Sequence, residues 1–481
     1  MRAFVRTLLP LLLAAAGVRA ELPPPLQKAL DEAGVPASAV SLVVAPLQGG
    51  PRWLEHRADA PMQPGSTIKL VTTLVGLEQL GPAWRGRTRL LAAGPIREGV
   101  LHGDLVLQGQ ADMDLTWQAL QALLQKARHR GLQEVKGALV LDRSFFRPTR
   151  TDRGLPPFDE APEAAYNVVP DALLVDQNLL RLEVLADAQR GLQLEPITPL
   201  AGVRLVPEMV LVEGDCSRWD EGWKPPELRP HKVLRTLDVV LRGTWPLGCE
   251  RTLALNLIDR DEFIGRMVRS LWTGLGGRWR GPVREGRAPS DAVLLAERQS
   301  RPLSELVRGI NKASDNAMTR TLYLALGQAG PGDEQEATAA RAEQAVRRWM
   351  RARGIDDAGL VIDNGSGLSR SERLTAAQLE AVVRAGVTGR WGPEFLSSLP
   401  IVGVDGTMRR RLTQGPAAGW ARLKTGTLRN VVALAGTLPD AAGRPLVVVA
   451  LFNHDGASPR QMRPVIDAWI DWVATQRVET R

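Results

Sequence analysis

A lysine follows a serine by three residues in the stretch "APMQPGSTIKLVTTLVGLEQLG", residues 60–81, which otherwise has the composition of a buried helix. Pro64-Gly65 interrupts the preceding chain, so Ser66 is expected in the first turn of that helix. Residues three apart share a helix face, and burial beside the helix N-terminus disfavours a charged ammonium. A neutral Lys69 could therefore deprotonate Ser66 and make it a nucleophile. The simpler alternative is a lysine that extends from an amphipathic helix into solvent.

A second cluster has residue types suited to the same chemistry. In "NKASDNAMTR", Ser314 and Asn316 lie two residues apart, where a helix is expected to meet a tight turn. A hydroxyl there could relay a proton to a leaving amine, and an amide could hold a substrate carbonyl. A simple helix cap is the alternative, because serine and aspartate are favoured at that position.

The third cluster is "LKTGT", which begins an apolar strand. Lys424 supplies positive charge, and the hydroxyls of Thr425 and Thr427 could bind a carboxylate. Gly426 leaves room for a substrate to lie along the strand edge. An ordinary turn followed by a strand explains this stretch equally well when it is taken alone.

Composition argues against several other kinds of site. The chain has two cysteines and five histidines, without the spacing typical of metal ligands. It contains neither a Gly-x-Ser-x-Gly elbow nor a phosphate-binding Gly-rich loop. Its net charge of +8 is not concentrated in a basic block or a basic-aromatic pattern. We therefore expect no metal, no cofactor and no nucleic-acid partner.

The elements that must position these residues follow an interrupted pattern. Residues 38–57 read as a β-hairpin and residues 421–454 as a β-meander, with helices before the meander and short strands after the first helix. We predict one antiparallel sheet with flanking helices, an α/β (α+β) domain that a large β-rich insert divides. The predicted boundaries are 21–82 and 256–481 for the divided catalytic domain, 83–255 for an insert of one or two smaller domains, and about 112–150 for a small domain nested in it.

The first twenty residues have the pattern of a secretory signal peptide. Arg2 and Arg6 precede the apolar run "LLPLLLAAAGV", and small residues stand before Glu21. The run is too short to span a bilayer, and a buried N-terminal helix is the alternative. Since no later run is long enough to hold the chain in a membrane, we predict export to the periplasm.

Export has a consequence for the two cysteines. Cys216 and Cys249 in an exported chain are expected to form a disulfide.

The C-terminal segment, residues 464–476, has the pattern of an amphipathic helix that lacks basic residues on its face. We expect this helix to dock onto the sheet rather than to lie on a membrane.

The three clusters become specific when they are taken together and in order. Ser-x-x-Lys, Ser-x-Asn and Lys-Thr-Gly are the signature set of penicillin-recognising serine enzymes. Further features indicate one family among these enzymes. They are the long gap after the first motif, the placement of the cysteines, and the stretches "GDLVLQGQADMDLT", "LVDQN" and "IDNGSGLSR". From about residue 25 to its end, the chain resembles the D-alanyl-D-alanine carboxypeptidase/endopeptidase family, the type-4 penicillin-binding proteins.

The resemblance implies a transpeptidase-like, β-lactamase-like fold and a serine DD-peptidase that acts on the stem peptides of peptidoglycan and is inhibited by β-lactams. Ser66 would be acylated by the D-Ala-D-Ala carbonyl, with Lys69 as the general base. Four further roles are implied. Ser314 with Lys424 would pass a proton to the leaving amine, and Asn316 would hold the donor peptide. Thr425 and Thr427 would bind the terminal carboxylate. The backbone N–H groups of Ser66 and Thr427 would form the oxyanion hole.

Other residues match positions that line the family's cleft, namely Arg370, Arg429 and Tyr166. Relatives that recognise diaminopimelate present an aspartate to its free amine. Ala161 aligns with that aspartate here, so the neighbouring Glu160 or Glu163 would have to replace it. Asn364, between Asp363 and Gly365, and Met113, in place of a proline, are two further departures from the family pattern.

Two other classes of protein compete with this interpretation. A non-catalytic peptidoglycan-binding scaffold could use the same fold, although three intact motifs argue against it. A β-lactamase or a related esterase would need a base that activates water for rapid deacylation, and the sequence offers no evident one. Carboxypeptidase and endopeptidase activities cannot be separated at this level, and a monomer and a homodimer both stay open.

Overall fold

The computed structural model describes residues 22–330 and 332–478, and the predicted signal peptide, residues 1–20, lies outside them. Within the described residues the chain forms ten α-helices and twenty β-strands in five sheets. The helices are α1 Pro24–Glu32, α2 Lys69–Gln79, α3 Trp117–His129, α4 Arg260–Gly274, α5 Leu303–Ala313, α6 Asn316–Ala329, α7 Thr338–Ala352, α8 Ala376–Thr388, α9 Gly392–Ser398 and α10 Pro459–Thr475. The strands are β1 Val40–Pro46, β2 Leu54–His56, β3 Arg87–Ala93, β4 Ile96–Arg97, β5 Val100–Leu101, β6 Asp104–Gln110, β7 Glu134–Val135, β8 Leu139–Asp142, β9 Leu180–Asp187, β10 Gly191–Pro196, β11 Val203–Val212, β12 Trp223–His231, β13 Thr236–Pro246, β14 Glu250–Leu255, β15 Arg278–Trp279, β16 Val283–Glu285, β17 Val293–Gln299, β18 Arg422–Leu428, β19 Val431–Pro439 and β20 Pro445–Asn453.

The sheet that carries the catalytic domain joins the two ends of the chain. Its strand order is β18-β19-β20-β1-β2, and all its pairs are antiparallel. β1 pairs with β20 from Val40 opposite Phe452 to Pro46 opposite Leu446. The predicted α/β fold, with the first hairpin and the last meander in one antiparallel sheet, is therefore confirmed. β18 is an edge strand, so one side of it is open to a neighbour other than a strand of this sheet.

Helices cover both faces of this sheet. Val43 and Ala45 of β1 pack into the core that includes α2, α5, α6, α7 and α8, whereas Leu42 and Val44 pack against the core that includes α1 and α10. Successive strand residues point to opposite faces, and both faces are covered, which explains why β1 is buried at every position. The expected docking of the C-terminal helix onto the sheet is confirmed, because its Trp469 belongs to the second core. None of the helices within the described residues is long and apolar enough to cross a membrane.

The first nine residues of helix α2 are buried on all sides of the helix. All residues from Lys69 to Leu77 are buried, because the helix lies between the sheet and the neighbouring helices of the same core. The side chain of Lys69 therefore has no path to bulk solvent along the helix surface. The alternative of a lysine that extends into solvent is wrong.

The expected meeting of a helix and a tight turn at Ser314 is present, and this turn separates α5 from α6. Ser314 ends α5 in a left-handed conformation, with φ 61° and ψ 38°, which non-glycine residues seldom adopt. Asp315 then caps α6 by accepting a hydrogen bond from the Met318 N–H at 2.8 Å. The break turns Ser314 and Asn316 toward the sheet edge instead of leaving them on one continuous helix surface.

The insert is longer than the sequence indicates. β17 pairs antiparallel with β3, and β16 pairs in parallel with β8, in one five-stranded sheet of order β16-β8-β6-β3-β17. Phe263 and Met267 of α4 pack into the core of the insert. The predicted boundary at residue 255 is therefore wrong, and the insert runs to about Gln299. The sequence of α4 would suit a helix of either domain, so only the residues that it packs against show that it belongs to the insert.

The small domain expected at about residues 112–150 is not a separate unit. β8, which lies within this range, pairs in parallel with β6, which precedes it. The remaining insert strands form the sheets β10-β9-β14, β11-β13-β12 and β15-β7-β5-β4, and one continuous apolar core connects them with the five-stranded sheet. The expected disulfide between Cys216 and Cys249 is present and links a turn after β11 to the start of β14.

Candidate active site

The three motifs meet around one cavity of about 370 Å³. The serine turn, residues 65–68, contributes Ser66, the break between α5 and α6 contributes Ser314, and the edge strand β18 contributes two threonines. The lining residues are Ser66, Ser314, Thr407, Arg411, Thr425, Thr427 and Arg463. Ser66 lies in a 3₁₀ turn immediately before α2, one turn earlier than the regular helix.

The Lys69 amine lies between the serine and the second motif. Its Nζ donates to Ser66 Oγ at 3.0 Å and to Asn316 Oδ1 at 2.7 Å, and it also contacts the carbonyl of Ser366. Burial lowers the pKa of Lys69 from 10.5 to about 7, against the opposing influence of the Glu372 and Asp315 carboxylates. A substantial fraction of this amine is therefore neutral near pH 7 and able to accept the Ser66 proton.

A second lysine–serine pair faces the first. Lys424 Nζ donates to Ser314 Oγ at 2.9 Å and to the Thr425 carbonyl at 2.8 Å. Complete burial, together with the positive charge of Lys69, lowers the pKa of Lys424 well below its usual range. The pair can pass a proton between an amine and a hydroxyl, which is what a leaving amine requires.

Asn316 connects the catalytic domain to the insert. While its Oδ1 accepts from Lys69, its Nδ2 donates to the backbone carbonyl of Tyr166 at 2.9 Å. Because the first residue of α6 carries this amide, the helix start fixes its position. Both ends of the amide therefore have hydrogen-bond partners.

Glycines allow three backbone segments to lie in contact around Ser66. A Cβ on Gly426 would stand 2.6 Å from the Pro64 carbonyl oxygen and 3.0 Å from Ser66 N. A Cβ on Gly367 would stand 2.1 Å from the Gly65 carbonyl oxygen. These clashes exclude any side chain at either glycine. The backbone of Ser66 thus lies against that of β18, and two such neighbouring segments can supply the N–H groups of an oxyanion hole.

Sequence analysis missed Glu372, which holds the loop behind Lys69. Its buried carboxylate accepts backbone N–H groups of residues 363, 364 and 365, with the Gly365 bond at 2.9 Å. Complete burial raises the pKa of Glu372 against these hydrogen bonds. The loop in turn presents the Ser366 carbonyl to Lys69. Only the position of this acid next to the Gly-Ser-Gly stretch could have drawn attention to it.

The expected departure at Asn364 has a structural explanation. Its Oδ1 accepts from Ser366 Oγ at 2.6 Å, and its Nδ2 donates to the Leu368 carbonyl at 3.0 Å. An aspartate could not make the second of these bonds. Met113, the other departure, is buried in the core of the catalytic domain.

Three cavity residues other than the motifs were also missed. Thr407 Oγ1 accepts a hydrogen bond from Thr425 Oγ1 at 2.8 Å, and Arg411 and Arg463 complete the lining.

Lys312, which lies in the second cluster next to the Ser-x-Asn motif, does not line the cavity. Its amine donates to the Leu399 carbonyl at 3.0 Å and pairs with Asp405, so it anchors the loop that carries Thr407. No local sequence signal links this loop to the cleft.

On the insert side, Tyr166 lies beside the cleft with 45% of its surface exposed. Its hydroxyl donates to Asp159 Oδ2 at 2.7 Å. Partial burial and this hydrogen bond raise the pKa of Tyr166. Partial burial would raise the pKa of Asp159, but hydrogen bonds from Tyr166 and Asn167 outweigh it and lower that pKa. An ionised carboxylate therefore stands next to Tyr166, and sequence analysis did not select Asp159.

The remaining selected residues are less closely associated with the cavity. Arg370 places its guanidinium 4.8 Å from the ring centroid of Phe158. Glu160 is exposed, whereas Glu163 is buried with one carboxylate oxygen unpartnered among the described residues. Arg429 is exposed immediately after β18. None of these four side chains lines the cavity.

Comparison with known proteins gives a consistent result. The family described as "D-Ala-D-Ala carboxypeptidase 3 (S13) family" matches residues 25–473. The D-alanyl-D-alanine carboxypeptidase of Actinomadura sp. (strain R39) is 27% identical over 95% of this chain and 86% of that protein. D-alanyl-D-alanine carboxypeptidase DacB of Haemophilus influenzae is 27% identical over 83% of this chain and 82% of its own length.

Two solved structures show the same fold. The crystal structure of penicillin binding protein 4 from Haemophilus influenzae matches with a TM-score of 0.76 at 22% identity, over 94% of this chain and 99% of that one. The structure of the same protein complexed with a novel β-lactam matches with a TM-score of 0.71 at 22% identity, over 92% of this chain and 97% of that one.

Proposed function

Because the chain belongs to the D-Ala-D-Ala carboxypeptidase 3 (S13) family, we propose that its reaction proceeds through an acyl-enzyme on Ser66. Family membership makes the protein a serine DD-carboxypeptidase that acts on peptidoglycan. The scaffold and β-lactamase alternatives are therefore set aside. The assignment of individual residues to steps rests on the geometry of this chain.

One observation carries the assignment: the buried Lys69 amine lies 3.0 Å from Ser66 Oγ. A pKa lowered by burial to about 7 gives that amine a neutral form at the working pH. A lysine, unlike an arginine, can change its protonation state under these conditions. Lys69 removes the Ser66 proton as the oxygen attacks the carbonyl of the penultimate D-Ala.

The next step is collapse of the tetrahedral intermediate. The N–H groups of Ser66 and Thr427 stabilise its oxyanion. The Ser314 hydroxyl gives its proton to the departing amine while the carbon–nitrogen bond breaks, and it is reprotonated through Lys424 by the proton that Lys69 took from Ser66. Water then hydrolyses the ester on Ser66 and releases the shortened peptide. The leaving group is D-alanine in the carboxypeptidase reaction and a cross-link amine in the endopeptidase reaction, and we propose both.

Substrate binding uses the open edge of β18. An extended peptide can lie along this edge with main-chain hydrogen bonds, and the lack of a side chain at Gly426 lets the strand lie directly against the serine turn. The Asn316 amide holds the donor peptide, and the hydroxyls of Thr425 and Thr427 receive the terminal carboxylate. The hydrogen bond between Thr425 and Thr407 orients the first of these hydroxyls.

The insert supplies the rim that faces the rest of the stem peptide. Tyr166 and Arg370 border it, and Glu160 is the exposed one of the two glutamates considered for a substrate amine. Glu163 is buried, so Glu160 is the better supported of the two. We further propose that the chain is exported through residues 1–20 and acts in the periplasm.

The test is the intact mass of the purified protein after brief exposure to benzylpenicillin. A related protein has been crystallised with a β-lactam, and we expect one penicilloyl adduct on the wild type and on a Ser397→Ala control. The Ser66→Ala variant should carry none. Hydrolysis of an acyl-D-Ala-D-Ala peptide, measured alongside, should be lost in the same variant. An adduct that persists in Ser66→Ala would contradict the assignment of the nucleophile.

A further inference from the structure

Arg463 brings a positive charge to the cleft from an element that carries no motif. It lies in the second turn of α10 and lines the same cavity as Ser66 and Thr427. One of its terminal nitrogens is 3.5 Å from Thr427 Oγ1. This is a long contact, but a carboxylate bound to the Thr427 hydroxyl would be within direct reach of the same guanidinium.

The charge of Arg463 is available, whereas that of its neighbour is not. Arg411 forms a two-point ion pair with Asp467, at 2.5 Å and 3.2 Å. Within residues 22–330 and 332–478, no carboxylate lies at ion-pair distance from the exposed side chain of Arg463. The cavity wall thus holds one neutralised arginine and one that lacks an anion.

The two lysines of the site are poorly suited to supply this charge. Lys69 and Lys424 are completely buried, and their amines are committed to Ser66, Asn316 and Ser314. Each has to gain or lose a proton during the reaction, so neither provides a constant positive charge. A guanidinium stays protonated under all working conditions and matches a carboxylate with two parallel hydrogen bonds.

We propose that Arg463 is the residue that recognises the negative charge of the leaving group's carboxylate, with Thr425 and Thr427 as its hydrogen-bonding partners. This proposal rests on the function proposed above, since it concerns the same cleft. It makes Arg463 a specificity residue that favours a free C-terminal carboxylate over a neutral terminus. The division of labour leaves Lys424 free for proton transfer.

The experiment compares two substrates that differ only in this charge, an acyl-D-Ala-D-Ala peptide and its C-terminal amide. In wild type we expect kcat/KM to favour the acid, and the preference to shrink as salt is added, because the guanidinium is exposed. Arg463→Gln should lower kcat/KM for the acid by roughly 10- to 100-fold and leave the amide nearly unchanged. Arg463→Lys should fall between wild type and Arg463→Gln.

Arg460→Gln is the matched control, because Arg460 is exposed on the same helix and does not line the cavity. It should keep the wild-type ratio of acid to amide. If Arg463→Gln also keeps the wild-type ratio of acid to amide, Arg463 does not recognise the carboxylate, although the proposed function stands. If wild type cleaves neither peptide, the proposed function fails and this inference fails with it.

Discussion

At the scale of single residues, burial decides which groups can do chemistry. Lys69 and Lys424 are both completely buried, and the pKa of each is lowered mainly for that reason. Arg463, at the exposed end of the same cavity, keeps a constant charge. Residues of the same formal charge thus take different roles because their solvation differs.

The pH dependence of acylation follows from Lys69. In the proposed mechanism the neutral form of Lys69 is the base, and a pKa of about 7 means that this form is lost as the pH falls. We expect the rate constant for acylation by benzylpenicillin to fall about tenfold per pH unit below pH 7 and to level off above it. Stopped-flow measurement between pH 5 and 9 checks this. Lys69→Arg should be inactive at every pH, and a flat wild-type profile would contradict the role of Lys69.

At the scale of elements, the site depends on where helices and strands stop. The serine turn precedes α2, the break at Ser314 separates α5 from α6, and β18 forms an edge. Each end exposes backbone groups or polar side chains that a continuous element would have enclosed. The proposed catalytic groups therefore lie at three element boundaries that share one cavity.

The left-handed conformation of Ser314 has a measurable energetic cost. A residue with a Cβ loses about 1–2 kcal/mol in this conformation, whereas glycine does not. Ser314→Gly and Ser314→Ala both remove the hydroxyl that bonds Lys424, so they should be similarly impaired in hydrolysis. In urea unfolding, however, the glycine variant should be the more stable of the two by about 1 kcal/mol. Equal stabilities would mean that the turn is not strained at this residue.

At the scale of the whole molecule, the insert and the catalytic domain each have a main core of their own, and smaller contacts such as that of Met113 join them. The apolar core of the insert includes residues of α4 and of its own sheets, and the sheet of the catalytic domain has a core on each face. All cavity-lining residues belong to the catalytic domain. The insert reaches the cleft through Tyr166, whose backbone carbonyl holds Asn316. It therefore borders the substrate path without supplying the proposed proton-transfer groups.

Removal of the disulfide tests whether the insert unfolds independently of the catalytic domain. Cys216 and Cys249 close a loop of 33 residues within the insert, which corresponds to about 3–4 kcal/mol of stabilisation in the chain-entropy account. A Cys216→Ser/Cys249→Ser variant should show a lower melting temperature for the insert in calorimetry. Its penicillin labelling at a temperature below that transition should match wild type. Labelling that falls together with insert stability would indicate that the two domains unfold as one unit.

Part of the site was predictable because its signals are local. The contact between Ser66 and Lys69 follows from a spacing of three residues, and the apolar runs of β1 and β20 indicate a doubly covered sheet. The fold class and the order of the three motifs needed no more than this. Strand pairing is not local, and so the insert boundary was placed at residue 255 although β17 pairs with β3.

Other features were set by tertiary contacts between distant segments. Glu372, Thr407 and Arg463 lie outside the three motifs, and each joins the site through a loop or helix that packs against it. The sequence by itself determined the family, through its three motifs, and the contact of Lys69 with Ser66, since a spacing of three residues specifies it. Only the folded chain decided which residues surround them, because burial and long-range packing set the charge of each lysine and the position of each arginine.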